Sequence, residues 1–245
     1  KYYILKKKYN FLILEDACHA LGAKYKVNKK FYKVGSCKHS DISIFSLHPL
    51  KSITTGEGGV ISTNNKFFFE NCKLLRSHGM LKNSQYYNYK YDIIKTGFNF
   101  RLSDINCALG ISQLKSLKKF IKKRDQIAKI YNKLFKNLNS IEISHNQNLK
   151  NISSWHLYII KIDFNKLKVS RNNLKKFLYE NKILTQIHYI PIFMFKNFKK
   201  TSKGKFPNAL EYYNCCLSLP IYYDLKKKDQ IFIFNKIIKY LYLKK

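Results

Sequence analysis

Of the 47 basic side chains in this sequence only four are arginines, at positions 76, 101, 124 and 171, which leaves 43 lysines; the acids number 14 and the formal charge is +33. An excess of that size first suggests a polyanionic partner. The scarcity of arginine argues the other way, because nucleic-acid recognition leans on guanidinium forks, and no base-reading motif or basic stripe is present. Asn, Ile, Phe and Tyr are enriched alongside Lys and share its A/T-rich codons, so the charge reads as a coding bias. No nucleic-acid partner is expected, and a basic nucleic-acid-binding protein stays the alternative reading.

Other absences narrow the class. No apolar run is long enough to span a bilayer, and the opening KYYILKKKYN carries neither a hydrophobic h-region nor a cleavage site. The cytoplasm is the expected location, with no membrane partner. The six cysteines, at 18, 37, 72, 107, 215 and 216, form no CxxC pair and no ligand spacing with the seven histidines. No metal site is expected, and the cysteines read as reduced core thiols.

What is present is a chain of 245 residues with 45% hydrophobic content, enough for a sizeable core and more than one folding unit. Eight of its nine glycines lie between Gly22 and Gly110, so a turn-dense first part is expected to carry the site and a simpler part to follow. The run Phe11–Leu14 ending in Glu15-Asp16 predicts a buried parallel strand; Ile42–Ser46 and Gly59–Ser62 predict two more. From Ser103, a helix cap, apolar positions recur at Leu114, Leu117, Ile121, Ala128, Tyr131, Phe135 and Leu138, which predicts one long amphipathic helix or two. A strand over 156–162, a helix capped by Ser170, a strand over 183–189 and C-terminal helices complete the expected order.

An acid at the carboxyl end of one strand and a lysine just past the end of another converge at the rim where α/β sheets place their sites. Asp16 and Lys51 are that pair. The glycines follow Lys51 in "FSLHPLKSITTGEGG", and no GxxxxGK[ST] exists, so a Walker-type phosphate loop is excluded. The remaining use of a positioned lysine is covalent bonding to a carbonyl, and its pyridoxal-phosphate version also needs an acid at the pyridinium nitrogen. Taken singly, Asp16 is equally a helix cap and Lys51 a solvated side chain. Glu57 reads as fixing the turn.

The words "EDACHALGA", "GSCKHSDISIFSLHPLKSITTGEGGV", "LRSHGM", "GFNFRLSDINCALGISQL", "SSWHLY", "IHYIPI" and "FPNALEYYNCCLSLP" stand in an order that resembles the DegT/DnrJ/EryC1/StrS family of nucleotide-sugar aminotransferases. The resemblance implies an α/β fold-type I pyridoxal-phosphate transferase, aspartate aminotransferase-like. Residues 1–125 would be the C-terminal part of the large cofactor-binding domain, and 126–245 the small C-terminal domain. It implies pyridoxal 5'-phosphate as cofactor and amino transfer from an amino acid, glutamate, to the C4 keto group of a UDP-linked 4-keto-6-deoxy sugar, for surface-glycan or pseudaminic acid-type sugars. The resemblance also implies a homodimer with shared active sites.

By the same resemblance Lys51 is the catalytic lysine that bonds the cofactor and shuttles the proton. Asp16 is the partner of the pyridine nitrogen, His19 lies near the ring, Ser46 binds the phosphate, and Asn99 reaches the cofactor phosphate of the neighbouring subunit. Arg101 is an anion-binding candidate on the substrate side, and His188 a substrate neighbour. Apart from the resemblance, His19 reads as a helix-start histidine, Ser46 as a strand-end hydroxyl, and Asn99 and Arg101 as a turn and a surface charge. His48, His78 and Trp155 receive no role. Family members carry a substantial portion ahead of Lys1, so the chain is expected to be an N-terminally truncated piece, inactive by itself.

Overall fold

A computed structural model describes residues 2–82, 91–143, 151–199 and 204–242. The chain divides into two compact units, one of Lys1–Lys119 with Leu149–Ser154 and one of Phe120–Asn148 with Trp155–Lys245.

In the first unit the strand Leu14–Asp16 runs parallel to Ile42–Ser46, with Asp16 opposite Ile44. The Gly59–Ser62 strand pairs antiparallel on the other side, with Gly59 opposite Ser46. The expected parallel sheet is therefore mixed. Along Ile42–Ser46 the side chains alternate, and Ser43 and Phe45 are buried. Ser43 donates to the Glu15 carboxylate at 2.6 Å, and Gly35 N–H donates to the same oxygen at 3.3 Å, so Glu15 ties the two parallel strands together.

The expectation of a buried first strand is corrected. Only Leu14–Asp16 of the predicted run is strand, and Leu12 and Leu14 are 66% and 62% exposed. An apolar run reports what could be buried, while the covering layer decides what is. Beside this sheet a hairpin, Lys24–Val27 with Lys30–Lys33, turns at Asn28 and Lys29, both at positive φ as a two-residue type I′ turn needs. Asn65 caps the helix Lys66–Arg76 by accepting from Phe67 and Phe68 N–H. Ser103 caps the helix Asp104–Phe135, its hydroxyl accepting from Asn106 N–H at 3.3 Å. The expected long helix is thus one continuous element.

The second unit holds a three-stranded antiparallel sheet in the order Cys216–Leu219, Tyr158–Ile162, Ile141–Ile143. Its core joins Ile127, Ala128, Tyr131 and Phe135 of the long helix to Tyr158, Ile160 and Ile162 of the central strand. Leu174 and Leu178 of the helix Arg171–Glu180, and Ile233, Ile237 and Leu241 of Lys227–Tyr242, close the same core. The Ser170 cap is as predicted, its hydroxyl accepting from Asn173 N–H.

The predicted strand over 183–189 is not formed. Gln186 exchanges one pair of backbone hydrogen bonds with Ser218 as an isolated bridge, and Lys182 before it turns the chain at φ 61°. The cysteine expectation is corrected in part: all six thiols are free, but only Cys216 is buried.

Candidate active site

The parallel register fixes the first part of the site. Asp16 closes its strand opposite Ile44, and Ser46 closes the neighbouring strand two residues later, so both leave the sheet at the same carboxyl end. Asp16 Oδ1 accepts the Cys18 N–H at 3.0 Å, an Asx turn that directs the chain away from the rim. The Cys18 thiol and N–H, followed by the charges of His19 and Lys51, hold the Asp16 carboxyl below its usual range against the opposing effect of partial burial. Asp16, His19 and Lys51 are thus within electrostatic reach of one another.

Lys51 is half-buried in a loop whose shape is closed by its own backbone. Leu47 N–H donates to Gly58 C=O at 2.9 Å, Thr55 N–H to Leu47 C=O at 3.1 Å, and Lys51 N–H to His48 C=O at 2.9 Å. Thr54 and Thr55 hydroxyls donate to the carbonyls of Leu47 and Glu57 at 3.0 and 2.7 Å. Gly58 stands at φ +145°, and a Cβ there would lie 2.8 Å from Thr55 Oγ1 and 3.0 Å from Leu102 Cδ1. Glycine is required by that approach. Asn106 Nδ2 donates to Thr55 C=O, so the start of the long helix braces the same turn.

The reading of Glu57 is corrected here. Its side chain is 77% exposed and lies 3.8 Å from His48; its backbone carbonyl and the two threonine hydroxyls shape the turn. Ser46 Oγ accepts the His48 N–H at 3.4 Å, just where the chain leaves the strand.

Asn99 and Arg101 are held by a second backbone ladder. Ser77 and Asn99 form an antiparallel bridge, flanked by His78 N–H to Phe98 C=O at 2.9 Å, Phe98 N–H to Leu75 C=O at 2.8 Å and Phe100 N–H to Arg76 C=O at 2.9 Å. Arg101 and Arg76 both line a cavity of about 970 Å³ in the first unit. His188 belongs to the second unit, where its Nδ1 lies 2.7 Å from Ser218 Oγ. Trp155, left without a role, is buried there, and its Nε1–H donates to Asp125 Oδ1 at 3.2 Å.

Two residues of this region escaped the sequence reading. Cys18 is not a core thiol but sits two residues after Asp16, an Asx-turn spacing that places its N–H on the carboxylate. Arg76 meets Arg101 at one cavity only because of the Ser77–Asn99 bridge, which no local pattern announces.

The sequence profile of the DegT/DnrJ/EryC1/StrS aminotransferase family matches residues 4–238. A UDP-4-amino-4,6-dideoxy-N-acetyl-beta-L-altrosamine transaminase of Campylobacter jejuni is 39% identical over 238 residues, covering 97% of this chain and 60% of its own length. The solved structure of Helicobacter pylori PseC, an aminotransferase involved in pseudoaminic acid biosynthesis, superposes with a TM-score of 0.88 at 34% identity, covering 98% of this chain and 62% of that one. The PLP-form of a sugar aminotransferase from Streptococcus pneumoniae superposes with a TM-score of 0.82 at 24% identity, over 95% of this chain and 58% of that one, a likeness of fold. The chain spans about 60% of the length of the curated relatives it matches.

Proposed function

The chain belongs to the DegT/DnrJ/EryC1/StrS aminotransferase family, and from that premise we propose that the protein uses pyridoxal 5'-phosphate at Lys51 to move an amino group from glutamate to the C4 keto group of a UDP-linked 4-keto-6-deoxy sugar. Its α/β fold is that of the fold-type I transferases, and its family depends on pyridoxal phosphate. The observation that carries the reading is the convergence of an ionised Asp16 with Lys51 and His19 at the carboxyl end of the sheet. The donor set fits the cofactor: a carboxylate kept charged, an amine on a loop braced by glycines, and the Ser46 hydroxyl at the adjacent strand end.

When bound, the cofactor carries the migrating amino group and serves as an electron sink. The chain's own residues do the rest. Asp16 would supply negative charge to the pyridine nitrogen, and the Cys18 N–H orients its carboxylate. Lys51 Nζ accepts a proton from the donor's α-carbon and returns it along the transfer path, the acid and base work that needs one group on a short, fixed loop. Ser46 would donate to the cofactor phosphate and His19 would lie beside the ring, with Arg101 and His188 each proposed as a substrate-binding residue.

In this reading Asn99 serves the neighbouring subunit of a homodimer. Support comes from its surroundings: Phe98 and Phe100 stack with centroids 4.9 Å apart yet are 57% and 68% exposed, and Ile105, Ile111 and Leu114 of the following helix are exposed too. An apolar face of this kind marks an interface. In this reading the first unit is part of the cofactor-binding domain and the second unit is the small domain.

The test is glutamate-dependent amination of a UDP-linked 4-keto-6-deoxy sugar by the full-length protein. Lys51→Ala and Asn99→Ala should each lose activity, and mixing the two should restore part of it, because one pocket of the mixed dimer carries neither lesion. Wild-type inactivity with cofactor bound rejects the substrate; no recovery despite demonstrated subunit exchange rejects the shared site.

A further inference from the structure

We propose that His48 is a positioning residue of the Lys51 site, its ring and its main chain together setting the turn that carries the lysine amine and the direction of the Ser46 hydroxyl. The inference rests on the proposed cofactor chemistry at Lys51.

Between the end of the Ile42–Ser46 strand and the glycine turn, the chain must place one amine in one spot. The bonds from Leu47 N–H to Gly58 C=O and from Thr55 N–H to Leu47 C=O hold the two ends of that loop. Its middle is the turn His48-Pro49-Leu50-Lys51, closed by the Lys51 N–H donating to His48 C=O at 2.9 Å. Pro49, second in the turn, brings a fixed φ that suits this position. Leu50, third in the turn, has no backbone acceptor for its N–H among the described residues. His48 Nδ1 takes that N–H at 3.2 Å. The imidazole thus stands in for the side-chain oxygen of an Asx turn, which accepts the N–H two residues on. Two successive N–H groups, those of Leu50 and of Lys51 itself, therefore end on one residue.

Donation from Leu50 makes Nδ1 the unprotonated ring nitrogen, so Nε2 carries the proton, and it lies 3.8 Å from Glu57 Oε1. That second contact joins two solvated side chains, 46% and 77% exposed, and contributes little. The ring acts through Nδ1. On the strand side, His48 N–H donates to Ser46 Oγ at 3.4 Å. A hydroxyl that accepts there keeps its own proton to donate elsewhere, which is what a phosphate oxygen requires. His48 is therefore bonded toward both groups assigned to the cofactor on this segment: directly to the Ser46 hydroxyl, and through the turn to the residue that bears the amine.

The experiment follows hydrogen exchange at the Leu50 and Lys51 amides of the full-length protein, with and without pyridoxal 5'-phosphate, and measures cofactor retention by equilibrium dialysis of the same variants. His48→Leu should speed exchange at Leu50 and lower retention, each by about three- to tenfold, the scale of one partly exposed hydrogen bond. His48→Asn, whose Oδ1 can accept the same N–H, should keep both within about twofold of wild type, a rescue that a bulk or packing role would not give. Glu57→Gln should change neither. His48→Ala, which puts less apolar surface in the turn, takes the place of His48→Leu if the latter melts early. An Asn variant as impaired as the Leu variant, exchange indifferent to residue 48, or retention unchanged in His48→Leu overturns the inference. Wild-type protein that retains no cofactor rejects the proposed function, and the exchange rates then decide this inference by themselves.

Discussion

The Asp16 carboxylate and the Lys51 ammonium stand within electrostatic reach of each other at the carboxyl end of the sheet, and the Cys18 thiol and N–H, ahead of His19 and Lys51, hold that carboxyl below its ordinary range. A carboxyl depressed in this way is ionised throughout the neutral range and protonates only below the ordinary carboxylate range. Asp16→Asn keeps the shape and removes the charge. It should weaken cofactor binding about tenfold or more, and wild-type cofactor retention should be flat between about pH 6 and 8 before falling in acid. Equilibrium dialysis across pH checks both.

Arg124 is the polar pin of the second unit. It satisfies the carbonyls of Trp155, His156 and Ile221 from the buried side of the long helix, beside Tyr131, whose hydroxyl donates to Pro220 C=O at 3.2 Å. Arg124→Met fills similar space and leaves three acceptors without their donor. A loss of about 3 kcal/mol in unfolding free energy is expected, measured by urea denaturation.

Asp41 is a pH-dependent tie in the first unit. Burial works to raise its carboxyl, but the Ile13 N–H, donating at 2.7 Å, and the Lys6 ammonium overcome it and hold the group below its ordinary value. A depressed carboxyl contributes stability above its unfolded value and loses it as pH falls through the folded one. Asp41→Ala should therefore cost about 1–2 kcal/mol at pH 7, and the gap from wild type should shrink below about pH 4. Thermal melts of both proteins across pH give the comparison; a gap that widens in acid contradicts the assignment.

Local chemistry was the legible part of the fold. The caps at Ser103 and Ser170 and the strand Ile42–Ser46 are settled within a few residues, and the structure has each where the sequence places it. Burial of Leu12 and Leu14 and pairing over 183–189 depend on what lies alongside, and a single run of residues does not contain that information. The site divides in the same way. Asp16 and Lys51 could be named because strand ends and a Gly-rich turn are local features, and their charges do come together. The Arg76–Arg101 pairing was invisible because it is made by a long-range ladder.

The most direct test of the account is to ask which of 43 lysines bonds the cofactor. The full-length protein would be incubated with stoichiometric pyridoxal 5'-phosphate, reduced with borohydride, digested and mapped by mass spectrometry, with Asp16→Asn treated in parallel. The account predicts that Lys51 carries the great majority of the label and that Asp16→Asn sharply lowers it. Label spread over exposed lysines, with Lys51 no more modified than the rest and no dependence on Asp16, would contradict it.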